Sequence, residues 1–264
     1  RRVKAILTVH ALGHPVDMGP LLELAGRYGL AVVEDATESL GATYRGRMAG
    51  NIGDIAAFSF NGNKLITTGG GGMIVTDNRD WADRARYLTT QAKDDAVEYV
   101  HNEVGYNYRM TNVQAAMGCA QLESIAERLE AKHAIADSYH RGLAGVDGII
   151  LPREASWASS AWWLYTILVN GAAFGQDSRG LLRSLADAGI ESRPLWQPLN
   201  RSMAHRASRT DECPVAEKLH SDTLSLPSSV GLTRGDQERV IDAIKRVGAG
   251  TAWVASGASG PGSF

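Results

Sequence analysis

Two cysteines in 264 residues, Cys119 and Cys213, cannot build a disulfide framework, and their wide spacing reads as reduced thiols of a cytoplasmic protein. Excess charge of one sign is also missing: 27 basic residues against 29 acidic ones leave a net charge of -2. That balance excludes the electrostatic footprint of a nucleic-acid binder or of a protein held on an anionic membrane. Hydrophobic residues reach 44%, yet no run approaches the roughly 18–20 apolar residues of a membrane span. The chain opens RRVKAILTVH, without Met and already inside what reads as a strand. The expectation is therefore a fragment whose upstream part is missing.

What is present is an alternation of short β-rich runs with helical periodicity. KAILTVH and AVVE (31–34) read as strands. Between them lies a helix through LLELAGRYG, with Asp17 as N-cap and Gly29 as the left-handed terminator. Connections this short imply a parallel βαβ unit. Strands are predicted at 55–60 and 73–76, and a helix at about 79–91. From 112 to 143 the three- and four-residue spacing of apolar residues predicts one long helix or a bent pair. An aromatic-rich strand near 161–169, a helix around 179–188 and a last helix started by Thr233, with Asp236 three positions on, complete the pattern. The Gly/Ser-rich end reads as a flexible tail at 251–264.

The most distinctive stretch is FSFNGNKLITTGGGGMIVT, in which Lys64 precedes four glycines. A Walker loop needs its lysine after the glycines, and the dinucleotide fingerprint fails because Ile74 and Val75 occupy the place of its last glycine. The glycines read as a tight turn feeding strand MIVT. His10 and His14 stand four apart, but Gly13 and Pro15 interrupt the helix that would align them, and no zinc-like cluster accompanies them, so no metal is expected. Asp35 ends the AVVE strand, at the sheet edge where α/β proteins bind ligands. It either caps the next segment or pairs with a cationic ring nitrogen. An acid at one strand end, a hydroxyl (Ser59) at the next and a lysine five residues on form the set that pyridoxal 5′-phosphate requires. The lysine serves a Schiff base and proton transfer, the acid keeps the ring nitrogen protonated, and the hydroxyl contacts the phosphate.

KAILTVHALGHPVDM, VVEDATESLGATYRGRMAGNIGDIAAFSFNGNKLITTGGGGMIVTDN and GYNYRMTNVQAAMGCAQLE resemble the DegT/DnrJ/StrS family of sugar aminotransferases, over about residues 3–245. The resemblance implies fold type I of the pyridoxal phosphate-dependent transferases (aspartate aminotransferase-like): a three-layer α/β/α large domain plus a smaller C-terminal α/β domain. Residues 1–140 would be the C-terminal part of the large domain and 141–250 the small one. It makes Lys64 the Schiff-base lysine, Asp35 the partner of the ring nitrogen and Ser59 a phosphate contact. Asn107 would reach the phosphate of a neighbouring subunit, so the active sites of a homodimer are shared. Glu38 stands where many members carry Gln or His beside the cofactor's 3-hydroxyl. There it forms a like-charge pair with a phenolate unless one of them holds a proton.

Lys64 argues against the relatives that carry histidine in its place and act as sugar 3-dehydratases. The motifs look most like the branch of perosamine-, bacillosamine- and legionaminic-acid-type enzymes. Those aminate the C4 keto group of nucleotide-linked 4-keto-6-deoxy sugars, with glutamate as donor. A C3-aminating or dehydrating enzyme of the same family, or a non-catalytic regulatory relative, is the alternative. Arg193 and Trp196 are expected to border the sugar site. Members carry roughly a hundred residues ahead of KAI, with a Ser-Gly-Thr phosphate turn and an aromatic that stacks on the ring. On that pattern this chain alone is expected to hold the cofactor poorly.

Overall fold

The computed structural model describes residues 3–95, 97–208 and 211–250; the tail at 251–264 lies outside the described residues. The chain divides into two compact units. The first takes in the chain up to His133 together with Glu154–Trp163, and the second takes Ala134–Arg153 and the chain from Leu164 onward.

The first unit begins with β1 (Ala5–Val9), α1 (Met18–Tyr28) and β2 (Ala31–Asp35). The hairpin β3 (Thr43–Tyr44) and β4 (Arg47–Met48) follows, then β5 (Ile55–Ser59) and β6 (Gly72–Val75). Strands pair in the order β1-β2-β5-β6, parallel except for the antiparallel last pair. Alternation along β1 and β2 turns Ile6 and Val32 toward α1, where they pack with Met18, Leu21 and Ala25. Full burial of such side chains contributes about 1.5–3 kcal/mol each. The opposite phase of β1 leaves Leu7 and Val9 exposed. Gly29 terminates α1 at φ 61°, as expected. Asp17 is the N-cap residue but bonds no helix amide itself. Tyr44 Oη accepts from Gly19 N–H at 3.0 Å and donates to Asp17 at 2.7 Å, so the cap is relayed through a phenol from the β3–β4 hairpin.

The glycine run enters β6 as a close approach. A Cβ on Gly72 would lie 2.4 Å from the Phe58 carbonyl oxygen, so only glycine pairs there with Ser59. α2 (Arg79–Thr89) follows, capped by Asn78. The long helical stretch is a bent pair, α3 (Asn112–Leu122) and α4 (Ile125–Leu143), α3 being opened by a capping box of Thr111 and Gln114. The unit boundary falls within α4.

β7 (Ile149–Ile150) belongs to the second unit, whereas β8 (Ala158–Ser159) returns to the first and pairs with β3. The second unit continues with β9 (Tyr165–Val169), α5 (Gly171–Phe174), α6 (Ser178–Asp187), α7 (Pro214–Asp222), β10 (Thr223–Leu226) and α8 (Arg234–Gly248). Its antiparallel sheet is ordered β10-β9-β7, and Ile167 and Leu224 on it are fully buried, as are Leu181 and Leu185 of α6 and Ile244 of α8. Thr233 caps α8 by accepting from Asp236 N–H. Among the described residues no helix is long and apolar enough to cross a membrane.

Candidate active site

Three parallel strands end side by side, and the loop after each supplies one part of a single cluster. After β1, Leu12 adopts a left-handed conformation (φ 60°) and donates its N–H to Glu38 Oε2 at 2.6 Å. After β2, whose last residue is Asp35, the chain turns through Thr37, which donates its N–H to Asp35 Oδ1 at 3.1 Å, and reaches Glu38. After β5, whose last residue is Ser59, Lys64 comes back toward the sheet with Nζ 3.9 Å from Glu38 Oε1. These loops sit at the carboxyl edge of the parallel sheet, where strand ends converge on ligands. A fourth part comes from far along the chain: the Trp163 indole lies with its centroid 3.9 Å from Lys64 Nζ.

The side chains of Lys64 and Glu38 are each only 13% exposed, and burial sets both proton affinities. It lowers the Lys64 ammonium from its ordinary range, opposed by the charges of Glu38 and Asp35. It raises the Glu38 carboxyl, assisted by Asp35 and opposed by the Leu12 N–H and by Lys64. Glu38→Gln is therefore expected to lower the Lys64 titration midpoint further, because the carboxylate that favours the ammonium is gone while burial stays. Titrating [13C]methyl-labelled lysines by NMR reads that midpoint, and an unchanged Lys64 resonance would contradict the coupling.

Ser59 Oγ accepts the Asn61 N–H at 3.3 Å, so it stands at the root of the Lys64 loop. Asn107 is elsewhere. It is exposed, forms a bridge with Thr90, and lines an open hollow between β6, α2 and Tyr108–Met110. Arg193 and Trp196 belong to the second unit, where both are exposed and Arg193 pairs with Glu191. His10 and His14 use both ring nitrogens in hydrogen bonds. Val16 N–H donates to His10 Nδ1, so His10 Nε2–H donates to Glu34 at 2.8 Å. Ala155 N–H donates to His14 Nε2, so Nδ1–H donates to the Pro15 carbonyl.

Sequence reading did not find Leu12, Trp163 or Glu34. Glu34 is fully buried and accepts N–H groups from Gly50, Ile52 and Gly53 as well as His10. Its one visible signal was a pair of acids closing an apolar strand.

The sheet that carries this lysine and its two carboxylates at its carboxyl edge has the fold of its structural neighbours, fold type I of the pyridoxal phosphate-dependent transferases. The chain belongs to the DegT/DnrJ/EryC1/StrS aminotransferase family, whose model matches residues 1–245. It is 43% identical to a GDP-perosamine synthase from Caulobacter vibrioides over 93% of this chain and 66% of that protein. It is 38% identical to a dTDP-3-amino-3,4,6-trideoxy-alpha-D-glucose transaminase from Streptomyces venezuelae, over 92% of this chain and 63% of that protein. The crystal structure of S. venezuelae DesV in complex with a ketimine intermediate superposes with a TM-score of 0.86 at 35% identity, covering 94% of this chain and 66% of that one. The chain thus spans just under two thirds of the length of these relatives.

The family's cofactor is pyridoxal 5′-phosphate, and the residues present fit it. The Asp35 carboxyl group at the strand end suits a cationic ring nitrogen, and burial draws the Lys64 amine toward its neutral, nucleophilic form.

Proposed function

We propose that the protein transfers an amino group from glutamate to the C4 keto carbon of a nucleotide-linked 4-keto-6-deoxy sugar, using pyridoxal 5′-phosphate, in cell-surface polysaccharide or glycan biosynthesis. The observation that carries the reading is the meeting of Lys64, Glu38 and Asp35 on one sheet edge of a family member. When bound, the cofactor supplies an electron sink for the charge left as a substrate carbon loses its proton. Asp35 holds a carboxylate, steadied by the Thr37 N–H, for a cationic ring nitrogen. Lys64 Nζ is the point of covalent attachment and, once free, the atom that takes a proton from one carbon and returns it to another. Glu38, its carboxyl raised by burial, would hold a proton more readily than an ordinary carboxylate beside an anionic ring oxygen. Ser59 Oγ and Asn107 would hold the phosphate, Asn107 across a homodimer. The exposure of Asn107 away from the Lys64 cluster of its own chain supports a role in the partner's site.

Incubation with [15N]glutamate and a 4-keto-6-deoxy nucleotide sugar is expected to give a 15N-labelled 4-amino sugar by mass spectrometry and NMR. The similarity to the S. venezuelae 3-amino sugar transaminase favours one competing reading, amination at C3. Label appearing only with a 3-keto substrate would select it, and label with neither substrate would sink the assignment.

A further inference from the structure

Trp163 lies 100 residues from the loop it touches, and it is anchored at three points. Its indole Nε1–H donates to the carbonyl of Asn63, the residue before Lys64, at 2.9 Å. Its own carbonyl accepts from the Nζ of Lys132, a lysine only 4% exposed, at 2.9 Å. Its backbone nitrogen lies against the turn that carries Leu12: a Cβ on Gly13 would stand 2.8 Å from it, and Ala161 N–H donates to the Gly13 carbonyl at 2.9 Å. The neighbouring Trp162 is held at φ 47°, a left-handed backbone that a bulky residue keeps only when its surroundings impose it. The indole, 5% exposed, thereby presents its face to the Lys64 ammonium.

We propose that Trp163 is a positioning residue for Lys64: its ring face seats the ammonium whenever the lysine is not bonded to cofactor, and its Nε1–H fixes the loop that carries the lysine. The other charged groups facing Nζ are Glu38, from the loop after β2, and Asp35, at the end of that strand. Both a carboxylate and an aromatic face favour the ammonium, but a carboxylate also offers its oxygens as acceptors for the Nζ protons. An aromatic face attracts the cation without accepting a proton, and it directs Nζ without closing it off. The proposal rests on the reading of Lys64 as the reactive lysine only for its consequence, and its test needs neither cofactor nor substrate.

The chain has six lysines. After [13C]formaldehyde dimethylation, with Lys64→Met identifying the resonance, the Lys64 methyl signal of the unsubstituted chain is expected upfield of the other five. Ring current from the indole produces that displacement, with nuclear Overhauser contacts to Trp163. Trp163→Leu keeps an apolar wall without a π face and is expected to lower the Lys64 midpoint by about half to one pH unit. Trp163→Phe, which restores a face, is expected to recover most of it. An unshifted Lys64 signal in the unsubstituted chain overturns the proposal without recourse to any variant. So does a Leu variant that titrates like the unsubstituted chain, or a Phe variant that falls as far as Leu. Borohydride fixation of pyridoxal phosphate on Lys64 succeeds or fails independently of these readings.

Discussion

Lys64→Ala is expected to reduce amino transfer by about 10⁴-fold or more, with the fold retained. Two functions are lost together, since the same Nζ is the nucleophile for cofactor attachment and the group that moves protons, and positioned proton transfer alone contributes about 10²–10⁴-fold. The fold is spared because the side chain is at the sheet edge. It touches Glu38 at 3.9 Å and the Trp163 ring, while the loop is held by backbone bonds such as Lys64 N–H to the Asn61 carbonyl and by the Trp163 Nε1–H to Asn63. Lys64→Arg separates charge from chemistry: a guanidinium keeps the cation but does not give up its proton near neutrality. It is expected to be as inactive as the Ala variant. Steady-state rates beside circular dichroism and thermal unfolding make the comparison. Activity within tenfold of the unsubstituted protein would remove Lys64 from the reaction, whereas loss of activity with collapse of the unfolding transition would show a structural role.

Glu34→Gln is expected to cost about 3–5 kcal/mol of stability, because two buried donors lose their acceptor at about 1–3 kcal/mol each. Oε1 of Glu34 accepts from Ile52 at 2.7 Å and Gly53 at 2.5 Å, and Oε2 accepts from Gly50 at 2.9 Å and His10 at 2.8 Å. All four partners donate, so an amide NH₂ in place of either oxygen faces donors whichever way it turns. His10 cannot adapt by changing tautomer, because its other nitrogen already accepts from Val16 N–H. Space is equally constrained, since a Cβ on Gly50 would stand 2.3 Å from the Phe58 ring.

The same network fixes a pH dependence. Burial acts to raise the Glu34 carboxyl, but the His10 bond and the three N–H groups outweigh it and hold it at about 2, against 4.5 ordinarily. A carboxyl lowered by folding stabilises the protein fully above the unfolded value, and that contribution disappears as the pH falls from about 4.5 through 2. The difference amounts to about 3 kcal/mol. Urea unfolding followed by tryptophan fluorescence is expected to show the acid decline in the unsubstituted chain and its loss in the Gln variant. A Gln variant within about 1 kcal/mol at pH 7 would mean that the network contributes little.

The βαβ start, the Gly29 helix stop, the break into β5 and β6 and the helical stretch from 112 were legible because each depends on spacing or on a residue with one dominant backbone preference. Asp35, Ser59 and Lys64 were legible as a set because strand ends can be placed from apolar runs, and the carboxyl ends of parallel strands lie together. The buried role of Glu34, beside Asp35, was not legible. Adjacent strand residues point to opposite faces, and only the arrival of residues 50–53 decides which acid is buried. Asp17 was placed at its helix start, but the phenol that completes the cap comes from a hairpin 27 residues on.

By itself, then, the sequence determined the order of the elements, the family motifs and the two strand-end residues and loop lysine proposed to carry the chemistry, because these rest on local periodicity and short spacings. Only the tertiary structure decided that Glu38 meets Lys64, that Glu34 is locked by His10, that Glu154–Trp163 returns to the first unit, and that Trp163 lies against the lysine's ammonium. Each of those contacts joins residues from about two dozen to a hundred positions apart. No propensity encodes them, since they exist only once separate loops have been brought to the same edge of one sheet.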